Sequence, residues 1–314
     1  MTDNNFVVDA VAADRDRSAH RAGQGDLLSA DLSMDAVTLY VADFEYMIGY
    51  YRDALSLNEL QRTGNVSVLG RDVPLMVLRH EPGLPTSAPH QAGLFHTALL
   101  FPSKSALAAT VLSAAQHKDS RFTGSADHLV SEAFYFTDPE GNGIELYWDR
   151  PRELWKYDGA HVRMAVDPLD PGRFLDDNLN DDAIASAIVT SAGVGHVHLQ
   201  VGDTRLAREF YVDTLGFETT AEMPGALFVS AGGYHHHMAM NTWNSRGAGP
   251  RAASLGLGQV SINLPSRDDV DSLLVRLRHH DIAVKDYGAA ISFGDPWNNL
   301  IEVSPVGRQG VRNR

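Results

Sequence analysis

An internal repeat divides this chain into similar parts. The stretch VTLYVADFEYMIGYYRDALSL from Val37 aligns without gaps with VHLQVGDTRLAREFYVDTLGF from Val197, an offset of 160 residues. In both copies apolar residues alternate with period two, an Asp suited to capping a helix follows, and the spacing then becomes helical. Each copy therefore predicts a strand, a helix and the start of a second strand.

A second pair of stretches repeats more weakly. FHTALLFPSKSAL from Phe95 resembles GQVSINLPSRDDV from Gly258, and TDPEGNGIELYW from Thr137 resembles GDPWNNLIEVSP from Gly294. Asp, Pro, Gly and Asn in the latter pair predict a turn before a final strand. Modules this small cannot each close a core and must pair. The repeat predicts four modules of βαβββ form, at about 34–91, 92–150, 191–250 and 254–306.

The modules predict a domain division. A chain of 314 residues corresponds to two domains at about 100 to 200 residues each. We expect the first domain at 34–150, from modules one and two, and the second at 191–306, from modules three and four. The remaining segments are a disordered or draped leader at 1–33, a polar linker at 151–190 and a tail at 307–314.

The composition excludes several classes of function. With 40 Asp and Glu against 26 Lys and Arg, the net charge of −14 repels nucleic acid and anionic lipid, so a small-molecule substrate is favoured. The chain has no Cys, so any metal site must use His and carboxylates. No apolar run is long enough to span a membrane, and the N-terminus has no signal-peptide core. We expect a cytoplasmic homo-oligomer.

Several segments together resemble a known superfamily. They are FHTALLFPS, DHLVSEAFYFTDPEGNGIELYWDRP, GHVHLQVGD, EFYVDTLGF and ALFVSAGGYHHHMAMNTW. With the repeat, they resemble the vicinal oxygen chelate superfamily, and within it the type I extradiol (catechol 2,3-dioxygenase-like) enzymes. The resemblance covers most of residues 34–306. It implies an α+β fold in which four βαβββ modules pair into two barrels or half-barrels.

The resemblance also implies where metal ligands lie. They come from the start of the first strand and the middle of the last strand of a module. The first-strand position holds Ala36, His96, His196 and Gln259 in modules one to four. The last-strand position holds a carboxylate in two modules, Glu145 in module two and Glu302 in module four.

Counting these ligands predicts how the modules pair. A mononuclear non-haem iron oxygenase needs two His and one carboxylate. Pairing module two with module three gives His96, Glu145 and His196, whereas pairing consecutive modules gives an incomplete set each time. We therefore expect the metal cavity between modules two and three, with one and four as a ligand-free companion. This departs from the extradiol pattern of consecutive pairing, and it makes Glu302 a structural acid.

The run GGYHHHMAMNTW suggests an acid or base. Extradiol enzymes carry a catalytic His in a similar context, and the resemblance assigns that role to His236. We predict that the run lies on the final strand of module three, after a Gly-Gly turn, with His235 and His237 on one face and His236 on the other. A shift of one residue would exchange the faces, so His237 is the alternative and a candidate for substrate binding. A surface or structural role for the run stays open.

Four further side chains are candidates for the site. The resemblance assigns Tyr135 to the position that hydrogen-bonds the substrate, although ordinary strand propensity also explains a Tyr there. It assigns His128 to the lining of the substrate pocket. His198 follows His196 by two residues and shares its face, so it is a candidate substrate contact. Trp243 could line an aromatic pocket, or pack in the core like other large aromatic residues.

The resemblance implies a reaction. Iron(II), or manganese(II), would cleave catechol or a substituted catechol with dioxygen beside one hydroxyl. The product would be of the 2-hydroxymuconic semialdehyde type. Two alternatives stay open, a glyoxalase-like isomerase or lyase and a non-catalytic small-molecule-binding protein of the same fold. No dinucleotide or flavin motif is present, and the sequence does not identify the preferred catechol.

Overall fold

The computed structural model describes residues 27–307. Most of the predicted leader and nearly all of the predicted tail lie outside that range. The end of the leader lies on the protein, where the Leu28 N–H donates to the Gly216 carbonyl at 2.8 Å. Next to it, β1 (Ser33–Met34) pairs with the first strand of module four.

Modules one and two both have the predicted βαβββ order. The elements of module one are β2 (Val37–Val41), α1 (Phe44–Leu55), β3 (Asn58–Thr63), β4 (Val66–Gly70) and β5 (Pro74–His80). Those of module two are β6 (Gly93–Leu100), α2 (Lys104–Gln116), β7 (Arg121–Asp127), β8 (Ser131–Thr137) and β9 (Gly143–Asp149). The α1 helix begins as predicted, since the Asp43 side chain accepts from the Tyr46 N–H.

Modules three and four repeat this order. Module three contains β13 (Gly193–Gln200), α5 (Thr204–Arg208), β14 (Glu218–Met223), β15 (Ala226–Ser230) and β16 (Met238–Asn241). Module four contains β17 (Gly256–Leu264), α6 (Arg267–His279), β18 (Val284–Asp286), β19 (Ile291–Gly294) and β20 (Leu300–Pro305). The α5 helix continues as a π-helical turn over Glu209–Thr214.

The strands form two large sheets, each built from two non-consecutive modules. In the central sheet, modules two and three join through antiparallel β6 and β13. In the companion sheet, modules one and four join through antiparallel β2 and β17. The predicted pairing of modules two and three, and of one and four, is thus confirmed, as is the α+β class. The domain division at 34–150 and 191–306 stays a prediction.

The segment 151–190 packs on module two instead of only spanning the gap between the halves. Its elements are a 3₁₀ turn (Arg152–Leu154), β10 (Tyr157–Asp158), β11 (His161–Val162), β12 (Asp167–Pro168), α3 (Pro171–Asn178) and α4 (Asp181–Ser186). β12 pairs with β7 at the edge of the central sheet. Phe174 is buried with its ring 4.7 Å from that of Phe134. No helix among residues 27–307 is both long and apolar enough to cross a membrane.

A buried Tyr–Asp bond occurs once in each half of the chain. The Tyr51 hydroxyl of α1 donates to Asp138 at 2.9 Å, and the repeat-related Tyr211 donates to Asp295 at 2.9 Å. Burial raises the pKa of Asp138 to about 6, while hydrogen bonds from Asn142 and Tyr51 lower it. The conserved distance shows that the sequence repeat preserves a contact between consecutive modules even though their strands belong to different sheets.

Removing this bond should destabilise the fold. We expect Tyr51→Phe to lower the free energy of unfolding by about 1.5–3 kcal/mol, because the buried Asp138 loses a charge-assisted hydrogen bond. Urea denaturation measures the change. Tyr46→Phe, on the same helix but 41% exposed, should change stability by less than about 0.5 kcal/mol. Equal effects of the two substitutions would contradict the assignment.

Candidate metal centre and active site

The central sheet aligns the predicted site residues in a row across four strands. Tyr135 on β8 is opposite Glu145 on β9, Glu145 is opposite Ala98 on β6, and Ala98 is opposite His196 on β13. Cross-strand neighbours of this kind have Cβ atoms about 5 Å apart. The small side chain of Ala98 leaves room above β6, so Glu145 reaches across it to His196.

The side chains of Glu145 and His196 converge with that of His96 on one point. Glu145 Oε2 lies 2.8 Å from His96 Nε2 and 3.1 Å from His196 Nε2. All three residues are buried, and they form the one group of three potential metal ligands found among the described residues 27–307. The structure therefore brings together the His–His–Glu set that the ligand count predicted.

The surroundings keep the histidine nitrogens available as ligands. Burial lowers the pKa of His196 to about 4, against the opposing effect of Glu145, so its imidazole is neutral at pH 7. Burial opposes ionisation of Glu145, but the adjacent His196 and His96 outweigh it and hold the pKa of Glu145 well below its usual range. Neutral imidazole and ionised carboxylate are the forms that bind divalent metals.

The spacing of the three atoms fits a single metal ion. Ligands about 2.1 Å from an ion, at right angles to each other, lie about 3 Å apart, which matches the two distances to Glu145 Oε2. His96 Nε2 is buried and has no hydrogen-bond partner within the described part of the chain, although Glu145 is at contact distance. Two imidazoles and one carboxylate are the facial set of non-haem iron(II) oxygenases.

The sequence predicts that the three consecutive histidines lie in a strand, and this prediction is wrong. β16 begins at Met238, and His235–His237 lie in the connection before it. Gly232 and Gly233, both with positive φ, turn the chain there, which ends the regular alternation. Each of the three rings is therefore oriented by its own contacts instead of by strand geometry.

Those contacts separate the three rings. The His236 ring lies 4.1 Å from that of His196 and 5.1 Å from that of Phe228, beside the metal cluster. His237 Nδ1 accepts from the Ala231 N–H at 3.3 Å, and its ring lies against Tyr234 at 4.9 Å. The structure thus brings His236 to the site by a different route from the one predicted, and it gives His237 partners in its own loop.

Tyr135 and His128 form a bonded pair beside the cluster. His128 Nδ1 is 2.6 Å from the Ala165 carbonyl, and His128 Nε2 is 2.6 Å from the Tyr135 hydroxyl. A carbonyl only accepts, so His128 Nδ1 carries a hydrogen. Burial and the adjacent Glu145 raise the pKa of Tyr135 well above its usual range. The Tyr135 ring lies 5.6 Å from that of His96. The 151–190 segment, through Ala165, therefore orients a predicted site residue.

An aromatic wall borders the cluster on the side of His96. The His198 ring lies 4.9 Å from that of His96, and His198 Nε2 accepts from the Asn241 side-chain amide at 3.0 Å. Trp243, 51% exposed, lies 5.6 Å from His198 and 5.5 Å from Phe95. Neither Phe95 nor Asn241 was predicted. Strand alternation would direct Phe95 away from the face of His96, but the β6–β13 register shifts at this residue.

The companion sheet has a cavity at the equivalent place without the ligands. A cavity of about 970 Å³ is bordered by Ala36, Gln259 and Glu302 among other residues. Glu302 therefore lies on a different sheet from Glu145 and does not join the His–His–Glu cluster. The ligand-free companion stays a prediction.

Two segments of the chain match the model of a known protein family. Residues 33–146 and 193–303 match the family model described as the Glyoxalase/Bleomycin resistance protein/Dioxygenase superfamily. The chain belongs to this superfamily. Both matched segments contain two modules, and together they contain all three residues of the cluster.

Individual superfamily members extend the comparison. The chain is 32% identical over 276 residues to the catechol-2,3-dioxygenase of Bacillus subtilis strain 168, covering 85% of this chain and 94% of that protein. A solved structure from the same species, described as a dioxygenase, superposes with a TM-score of 0.61 at 14% identity over 90% of this chain and 87% of the other. Glyoxalase I from Zea mays gives 0.53 at 15% identity over 88% and 92%. The two structures show a shared fold.

A glycine beside His196 gives a testable packing constraint. A Cβ on Gly195 would overlap the buried Tyr147 hydroxyl, whereas a Cβ on Gly193 would meet no atom within 4 Å. We expect Gly195→Ala to cost about 1–3 kcal/mol of folding free energy through overpacking, and to weaken metal binding by shifting His196. Thermal denaturation and metal titration measure the two effects. Gly193→Ala is the matched control, and equal behaviour of both variants would contradict the constraint.

Proposed function

We propose that this protein is an extradiol dioxygenase that cleaves catechol or a substituted catechol with dioxygen at a non-haem iron(II). His96, His196 and Glu145 would hold the metal. The observation that carries the proposal is the buried His–His–Glu cluster, in a chain that is 32% identical to a protein named catechol-2,3-dioxygenase. The product would be of the 2-hydroxymuconic semialdehyde type.

The ligand set leaves part of the metal's surface open for substrate. When bound, iron(II) acts as a Lewis acid toward the catechol hydroxyls and conducts electrons to dioxygen. Because the chain would supply only three ligands, His96, His196 and Glu145, coordination positions would remain for substrate. Manganese(II) accepts the same ligands, so a metal analysis of the active protein has to distinguish the two.

The aromatic wall provides a surface for a flat substrate ring. Phe95, His198 and Trp243 have their rings within about 6 Å of each other next to His96. Aromatic rings pack favourably against one another in stacked or edge-on arrangements. The partial exposure of Trp243 places this wall at the rim, where it would orient an arriving catechol and exclude water behind it.

Two side chains on opposite sides of the cluster would contact the substrate. His236 lies against His196 and would accept the proton of a catechol hydroxyl at Nε2, then return it later in the reaction. Tyr135 lies near His96 and is hydrogen-bonded to His128. Tyr135 would hydrogen-bond a substrate oxygen, with the bond to His128 holding the Tyr135 hydroxyl in position.

Anaerobic reconstitution tests the proposal. Protein loaded with iron(II) without oxygen, then mixed with catechol and air, should give a yellow product that absorbs visible light, in proportion to bound iron. Catechol, alkylcatechols and protocatechuate form the substrate panel. Iron that binds stoichiometrically with no ring cleavage of any of them would refute the proposal.

The alternative functions give different outcomes. A glyoxalase-like isomerase would normally take carboxylates from both paired modules, whereas the cluster among residues 27–307 has only Glu145. Such an enzyme would convert its substrate without oxygen consumption. A non-catalytic binding protein would bind catechol without change. Oxygen uptake, measured in the same reaction, separates these cases.

A further inference from the structure

A chain of hydrogen bonds leads to His236 through residues that border the cluster, since the rings of Tyr147 and His235 lie 5.0 Å and 6.0 Å from that of His196. It joins Tyr147, Tyr234, Asp149, His235 and His236 in that order. We propose that Asp149, acting through His235, fixes His236 in the tautomer with its hydrogen on Nδ1 and a free lone pair on Nε2. Asp149 and His235 are positioning residues, and His236 is the group that meets the substrate.

The direction of the chain is set at Asp149. Its Oδ1 lies 2.9 Å from His235 Nε2, and its Oδ2 accepts from the Tyr234 hydroxyl at 2.8 Å. A carboxylate has no hydrogen to donate, so His235 Nε2 is the donor. A neutral imidazole has a single N–H, so the Nδ1 of His235 is left as an acceptor.

The next bond transmits this choice to His236. His235 Nδ1 lies 2.8 Å from His236 Nδ1, and two acceptors cannot share a hydrogen bond. The hydrogen is therefore on His236 Nδ1, which leaves His236 Nε2 unprotonated. Which nitrogen of an imidazole carries the hydrogen is set by the bond that the other nitrogen makes, and here that bond traces back to Asp149.

Packing holds the intermediate ring in place. The His235 side chain is fully buried, with the Tyr234 ring at 4.1 Å and the Trp155 ring at 5.4 Å. The Asp149 side chain is 20% exposed and borders a surface pocket of about 450 Å³. The chain thus connects a partly exposed carboxylate to the buried ring of His236.

A reversed arrangement would fit the same distances. An imidazolium at His235 would donate to both Asp149 and His236, and His236 would then carry its hydrogen on Nε2. That would place a positive charge on a fully buried ring near His196 and His236, and burial of charge is costly. It would also remove the base, since an Nε2–H cannot accept a proton. The two arrangements therefore predict opposite tautomers.

The functional consequence rests on the proposed function, but the tautomer does not. If His236 accepts a proton from catechol, its Nε2 lone pair must be ready before substrate arrives. In serine hydrolases a carboxylate holds the catalytic imidazole in one tautomer directly. Here a second imidazole would lie between the carboxylate and the acting ring.

Nitrogen NMR of the protein labelled with ¹⁵N-histidine measures the tautomer directly. The protein is loaded with zinc(II), which is diamagnetic, and the His236 signals are assigned by their loss in His236→Gln. We expect His236 to carry its hydrogen on Nδ1 in the wild type. In His235→Phe, the ratio of the Nδ1–H tautomer to the Nε2–H tautomer should fall at least tenfold. His236 as Nε2–H in the wild type would overturn the proposal.

Two further variants test the role of Asp149. His235→Asn keeps an acceptor oxygen near the position of Nδ1, so it should retain Nδ1–H at His236. Asp149→Leu should shift His236 toward Nε2–H in the wild-type background but not in the His235→Asn background. Asp72→Leu, an exposed residue at the same surface pocket, is the matched control. An unshifted tautomer in Asp149→Leu would refute the role of Asp149.

Steady-state kinetics of the iron-loaded variants test the catalytic consequence. We expect kcat to fall at least about tenfold in His235→Phe and Asp149→Leu with KM within twofold, and to recover to within about threefold in His235→Asn. Unchanged kcat with a shifted tautomer would overturn the positioning role. A wild-type protein without ring cleavage would refute the proposed function alone, because the NMR result would still decide the tautomer.

Discussion

Replacing His196 by alanine is expected to abolish both iron binding and ring cleavage. His196 Nε2 is one of three nitrogen and oxygen atoms within 4.8 Å of each other, and two remaining ligands do not hold a divalent ion securely. Loss of an outer-shell partner already lowers metal affinity about 10- to 100-fold, so loss of a direct ligand should cost at least about 100-fold. Anaerobic iron(II) titration measures the affinity.

Glu302→Ala is the matched control for this prediction. Glu302 occupies the same register position in module four as Glu145 in module two, but it lies at the companion cavity. The variant should keep iron binding and activity within about twofold of the wild type. Loss of iron in Glu302→Ala, with iron retained in His196→Ala, would place the metal at the companion sheet and contradict the assignment to the central sheet.

Replacing His236 by glutamine is expected to lower kcat by about two to four orders of magnitude, the usual contribution of a general acid or base. Iron binding should be unchanged, because His236 contacts His196 through its ring without belonging to the cluster. Stopped-flow measurement of product absorbance, with iron content determined on the same sample, separates the two effects.

His161→Gln serves as the control for His236→Gln, since His161 is exposed on β11. Its kcat should stay within about twofold of the wild type. A His236→Gln variant with full activity would shift the acid–base role to the Tyr135–His128 pair, which Tyr135→Phe would then test.

The metal ligands and His236 were predicted from different kinds of evidence. His96, His196 and Glu145 were predicted from the ligand positions that the superfamily resemblance implies, which the repeat allows to be read off in each module. His236 was found by its sequence context, and the strand geometry used to orient it was wrong. The turn at Gly232 and Gly233 explains the difference, since positive φ at two successive residues interrupts any strand alternation.

Residues whose contacts join distant segments of the chain were not predicted. Phe95 and Asn241 contact His198, and Asp149 reaches His235 across 86 positions of sequence. Such contacts depend on which strands become neighbours and on side-chain rotamers. Neither is encoded in local periodicity, so no window of sequence announces them.

The sequence by itself determined the modules and their strand order, which follow from hydrophobic period and residue type, both local properties. The superfamily resemblance implied the ligand positions, and only a pairing of modules two and three completes that ligand set. Only the tertiary structure decided how the His236 ring is oriented and that Asp149 is connected to it through His235. The reason is that hydrogen bonds between distant segments form when the chain is folded, and their direction is set by donors and acceptors that the fold alone brings together.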